Sequence, residues 1–91
     1  MSNKFAQPKD PDAVADYGLD WSLRLVTDTI LTSTWIVPDG ITENSSSHTS
    51  IATTIWLAGG TVGQTYSLTN RVVTNGGRTW DWTVELKIKE L

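Results

Sequence analysis

The sequence has no cysteine. That excludes a disulfide framework and any thiolate metal site, so an oxidising compartment is not required for folding. It has one histidine, His48, flanked by Ser47 and Thr49 in a polar stretch. A Ser-His-Asp set can be written on paper, but no nucleophile-elbow motif or strand-turn-helix context orients one, and the residue reads as a solvated loop histidine. No apolar run reaches the roughly 18 residues of a membrane-spanning helix, and no signal-peptide core follows Met1. Positive charge is also scarce. Seven Lys and Arg stand against ten Asp and Glu, for a net charge of -3. The basic residues are dispersed, so no stripe forms to neutralise phosphates, and neither nucleic acid nor membrane is an expected partner.

Other motifs fail on spacing. Asp10, Asp12, Asp16 and Asp20 resemble a cation loop only in composition, because the glycine and distal glutamate of an EF-hand are missing. Residues 59–63 are glycine-rich but lack the Gly-Lys-Ser/Thr ending and following helix of a phosphate loop. No cofactor or metal is expected, and the chain does not read as an enzyme.

What is present is alternation. Residues 63–91 hold two runs rich in Val, Thr and aromatic residues around Asn75-Gly76-Gly77, which predicts a β-hairpin with Gly76 at its turn. In the second run Trp80, Trp82, Val84, Leu86 and Ile88 fall on one side, and Thr79, Asp81, Thr83, Glu85, Lys87 and Lys89 on the other. That period of two makes a strand with one dry and one wet face. An isolated hairpin is marginal in water, so the preceding residues must cover it.

Those residues read as further strands. Tyr17, Leu19, Trp21, Leu23 and Leu25 alternate, with Asp16, Asp20 and Arg24 on the polar side. Residues 26–29 form a turn, and a strand over 30–37 places Leu31, Ser33, Trp35 and Val37 on one face. Pro38-Asp39-Gly40 is a turn with a mechanism, since Pro presets its φ and Gly accepts a positive one. Ile41 and Thr42 form at most a short edge strand, and residues 43–48 an exposed loop. In residues 49–58, Ile51, Thr53, Ile55 and Leu57 oppose Ala52, Thr54 and Trp56. Residues 58–63 form a glycine corner, after which the Tyr66 hydroxyl is expected to hydrogen-bond upstream backbone and pin the crossover between sheets.

The total predicts one domain: an all-β, Ig-like antiparallel β-sandwich of about 6–7 strands over residues 15–91, preceded by an extended or disordered N-terminal arm over 1–14. A small OB-type barrel fits the strand count as well. Five Trp suit so short a chain, because each buries roughly 150–250 Å². Trp35 and at least one of Trp80 and Trp82 are expected in the core, and all three in a structural role. Trp21 and Trp56 are candidates for an outer face that meets a partner or stacks on a sugar.

Order and spacing of several short motifs resemble a known group. They are Asp10-Pro11-Asp12, Asp16-Tyr17, Asp20-Trp21, Asp28-Thr29-Ile30, Ser33-Thr34-Trp35, residues 56–61, Gly63-x-x-Tyr66 and Gly77-Arg78. Over residues 10–91 the chain resembles the fibre–tail adaptors of tailed bacteriophages, and departs from them at Trp80-Asp81-Trp82, where more polar or basic residues would be expected. The resemblance implies a non-enzymatic virion protein made in the bacterial host cytoplasm. It would act as a multi-copy, homo-oligomeric part joining tail or neck to receptor-binding fibres, with other tail, neck or fibre proteins as partners. Contact candidates are then Asp10, Pro11, Asp12, Asp16, Trp21, His48 and Trp56. A capsid decoration protein and a carbohydrate-binding module are the alternatives.

Overall fold

Six strands and one helical turn make up the computed structural model, which describes residues 4, 5 and 7–91. Residues 1–3 and 6 of the expected arm lie outside the described residues. The strands are β1 (Ala15–Asp20), β2 (Ile30–Ile36), β3 (Ile41–His48), β4 (Ala52–Gly59), β5 (Thr65–Thr74) and β6 (Thr79–Lys87), with α1 (Ser22–Leu25) between β1 and β2. They form two antiparallel sheets of three, ordered β1-β4-β3 and β2-β5-β6. The sheets pack as an Ig-like sandwich and do not close into a barrel.

The β5–β6 hairpin forms where alternation predicted it. Its register pairs Leu68 with Val84, Val72 with Trp80 and Arg71 with Asp81. Leu68, Val72, Val84, Leu86 and Ile88 are buried, and Ile55, Leu57 and Leu19 meet them from the other sheet. Opposite the core the wet face carries its own cross-strand pairs: Arg71 makes two hydrogen bonds to Asp81, at 2.8 and 3.0 Å, and Thr69 meets Thr83 at 2.9 Å. Such exposed pairs contribute little individually.

A buried polar group joins the layers. Asn70 of β5 accepts from the Trp21 indole N–H at 3.0 Å and from the Thr53 hydroxyl at 2.7 Å, both contributed by the β1-β4-β3 side. Its amide donates to Ser33 Oγ at 3.0 Å and to the Thr34 carbonyl at 3.1 Å, both on β2. All four bonding positions of the amide are therefore occupied, which is the condition for a polar side chain to sit in a core without large cost.

Three expectations need correction. The first strand stops at Asp20, whose carboxylate accepts the Ser22 N–H at 2.9 Å and turns the chain into α1. Leu23 then points to solvent instead of continuing a dry face. In β2 the register shifts between Ile30 and Thr32, so Ile30 and Trp35 are buried while Leu31 is exposed. A bulge of this kind switches which side of the strand faces the core. Residues 43–48 are strand, not loop. As an edge strand β3 pairs only with β4 and buries only Ile41, so it has no apolar alternation to read.

The described part of the N-terminal segment runs along β6, with parallel bridges Lys4–Glu85 and Lys9–Ile88. Lys9 is buried, and its ammonium donates to the Gly59 carbonyl at 2.6 Å and to its neighbour Asp10's carbonyl at 2.8 Å. Burial pushes this ammonium below the ordinary lysine value, against the opposing pull of Asp10 and Asp12. Tyr66 accepts the Thr61 N–H on its hydroxyl at 3.1 Å, across the β4–β5 corner.

Asp28, in the α1–β2 link, clamps the β5–β6 turn. Its carboxylate accepts the Thr29 and Gly76 N–H groups at 2.8 and 2.9 Å and the Arg78 guanidinium at 3.0 Å. A Cβ at Gly76 would lie 2.7 Å from Asp28 Oδ2, so only glycine lets the carboxylate this close. Hydrogen bonding by the Thr74 hydroxyl, then by the Thr29 and Gly76 N–H groups and Arg78, outweighs desolvation and holds Asp28 below the ordinary 3.8, at about 2. A depressed carboxylate contributes stability that is complete above its unfolded value and is lost as pH falls through its folded value. Thermal melting should therefore weaken between about pH 4 and pH 2. Asp28→Asn should lower the melting temperature at neutral pH and flatten this acid limb; an unchanged limb would remove the clamp from the account.

Candidate interaction surface

The outer face of the β1-β4-β3 sheet is built by the pleat. Ile55 and Leu57 of β4 point inward with no exposure, so Trp56 between them points outward and is 41% exposed. Register sets Asp16 beside it on β1 and Ser45 on β3. Gly18 and Ser47 flank Thr54, and Asp20 lies opposite Ala52. Two expected contact residues, Asp16 and Trp56, are thus neighbours although they are far apart in sequence. The face is one indole ring on a bed of small side chains, with carboxylates along its β1 margin.

The other candidates scatter. His48 is exposed at the far end of β3, paired with Thr53. Asp10, Pro11 and Asp12 form the turn between the β6-bound segment and β1. Asp10 is already used by its own chain: it accepts the Asp12 N–H at 2.9 Å and the Leu91 N–H at 3.1 Å, and these backbone bonds lower its pKa. Its carboxylate ties this turn to Leu91.

Trp21 is a correction. It is completely buried, because the chain turns at Asp20 and swings the indole between the sheets, where Trp82 meets it edge-on at 5.3 Å. It cannot contact a partner or a sugar. Trp35 is buried, and Trp80 and Trp82 are half-buried against the core. Arg24 of α1 lies over the Trp80 ring at 5.0 Å.

Pattern reading missed an apolar group at the α1 end. Leu23 and Val26 are 85% and 82% exposed, and Leu31 and Ile51 are exposed as well. The Ile51 carbonyl accepts the Trp21 N–H and the Ser50 carbonyl accepts the Ile30 N–H, which brings the β3–β4 turn beside α1 and the start of β2. Val26 also has φ 59°, a left-handed conformation rare for a β-branched residue. Among the described residues no group of three or more His, Asp or Glu gathers as metal ligands would.

The class this defines is an Ig-like β-sandwich of two three-stranded antiparallel sheets with several large apolar side chains exposed on its outside. Residues 9–87 match the family described as "Podophage GP4 fiber-tail adaptor protein gp77". The chain belongs to this family of phage fibre–tail adaptors. Among solved structures it is similar to one titled "Solution structure of the PKD domain from KIAA 1837 protein", at 23% identity and a TM-score of 0.53, covering 99% of this chain and 88% of that one. That likeness concerns the fold alone. A comparison with curated proteins found no match.

Proposed function

We propose that this chain is a non-enzymatic virion component that joins the phage tail or neck to receptor-binding fibres and is present in several copies. The observation that carries this reading is the family match over residues 9–87. The surface supports it: the sandwich encloses a continuous core yet leaves Leu23, Val26, Leu31 and Ile51 exposed, on segments that backbone hydrogen bonds bring near one another. Grouped exposed apolar side chains rimmed by polar ones mark protein contact sites. In this reading residues 15–91 are the body, and the described residues before them form an extended arm that meets β6 at Lys4 and Lys9.

Locating the chain in intact particles by electron microscopy tests the reading, with density at the tail or neck expected. Density on the head shell instead would make it a decoration protein. Leu23→Asp with Val26→Asp should leave the melting curve nearly unchanged, because both side chains already face water, while incorporation into particles falls at least about tenfold. Normal incorporation would clear the α1 end of any role. Of the two tryptophans expected for sugar stacking, only Trp56 remains available. Saturable glycan binding lost in Trp56→Ala would replace the adaptor reading with a sugar-binding one.

A further inference from the structure

The N-terminal segment meets β6 at Lys4 and again at Lys9, and a groove lies beside its described residues and the end of β6. One cavity of about 400 Å³ is lined by Lys4, Phe5, Thr65, Glu85 and Lys87. An adjoining one of about 280 Å³ shares Lys4, Phe5 and Lys87 and adds Pro8 and Lys89. Phe5 is half-buried and anchored on the Tyr17 ring at 4.9 Å, so the groove has a fixed apolar wall.

The distribution of positive charge singles this groove out. Lys9 is engaged with two carbonyls, Arg24 with the Trp80 ring, Arg71 with Asp81 and Arg78 with Asp28. Lys87 and Lys89 line the groove together with Lys4. Among the described residues Lys87 and Lys89 have no ion pair. Lysines often guard a bare strand edge, but here the edge of β6 is already covered at two points by the chain's own N-terminal segment. Edge protection therefore leaves their convergence on one groove unexplained.

We propose that this groove docks an acidic, extended peptide segment of a partner protein, with carboxylates at Lys87 and Lys89 and an apolar side chain against Phe5 and Pro8. Charge complementarity selects the occupant. A nucleic acid fits less well: the chain carries a net charge of -3 and Glu85 stands within the groove, so a long polyanion is repelled more strongly than a short segment with few carboxylates. The groove's charge and shape do not depend on where in the virion the chain resides, so failure here leaves the adaptor reading standing, and the reverse holds too.

The test is fluorescence anisotropy of a labelled peptide alternating Glu and Leu, titrated with the full chain. Saturable binding is expected, weakened at least about tenfold by raised salt, by Lys87→Glu with Lys89→Glu, and by exchange of Glu for Gln in the peptide. Circular dichroism confirms that the double variant remains folded, and Lys87→Gln with Lys89→Gln gives a milder second pair. Absent saturation, or binding indifferent to both pairs of substitutions, overturns the proposal. So does tighter binding of single-stranded DNA than of the peptide. Lysine-dependent self-association in sedimentation, without peptide binding, would give the groove to a second copy of the chain and overturn the proposed occupant.

Discussion

Asn70→Ala is expected to cost about 3–5 kcal/mol, the largest loss from any single polar side chain in this domain. Asn70 is fully buried, and its amide is the shared partner of Trp21, Thr53, Ser33 and the Thr34 backbone. Truncation removes the acceptor of the Thr53 hydroxyl and leaves the Trp21 indole N–H only a longer contact, 3.3 Å to Thr53 Oγ1. Each orphaned buried group costs about 1–3 kcal/mol, and a cavity adds to it. A small domain has a total stability of roughly 5–15 kcal/mol, so the variant should be marginally folded at 25 °C. Denaturant unfolding followed by tryptophan emission measures it. Thr69→Ala, one residue away but on the wet face, should cost no more than about 0.5 kcal/mol. A loss below about 1 kcal/mol at Asn70 would show that the inter-sheet network is incidental.

The second large effect is expected at Gly60, in the corner between β4 and β5. Its φ is +99°, and a Cβ there would lie 2.7 Å from Ile88 Cδ1 and 2.8 Å from Cγ1. Ile88 has little room to retreat: it is fully buried, and its backbone is bonded to Gly63 and Gln64. Gly60→Ala should therefore combine backbone strain with overpacking, for a loss of about 2–4 kcal/mol. Gly63 provides the internal control, because its φ is +86° but a Cβ there would meet nothing within 4 Å. Gly63→Ala should show the backbone part alone, about 1 kcal/mol. Equal losses at both positions would mean that the Ile88 contact relaxes freely. The comparison also bears on the N-terminal segment, since Lys9 bonds the carbonyl of the adjacent Gly59.

How far these features could be read in advance follows from their range along the chain. The hairpin was legible because both its strands alternate and its turn residues lie between them. The same rule misled at Leu23 and Leu31. Leu23 keeps the alternation after the backbone has already turned at Asp20, and a bulge moves Leu31 to the wet side. Beyond Ile41 and Thr42, edge strand β3 left no trace in the pattern, since a strand with both faces exposed needs no apolar period. Of the candidate contact surface, Trp56 could be placed on an outer face from its buried neighbours, but its pairing with Asp16 could not. The basic groove was illegible for the same reason, since Lys4 and Lys87 meet only through the parallel run of the N-terminal segment along β6.

Alternation and turn chemistry, which act between residues a few places apart, were enough to determine an all-β chain and the position of its main hairpin. Tertiary packing alone decided that Trp21 is core and Trp56 is surface, that Asn70 bridges the sheets, and that three lysines share one groove. Those outcomes depend on which strands become neighbours. Neighbourhood is settled by the burial and hydrogen bonding of the whole chain at once, not by any one stretch of it.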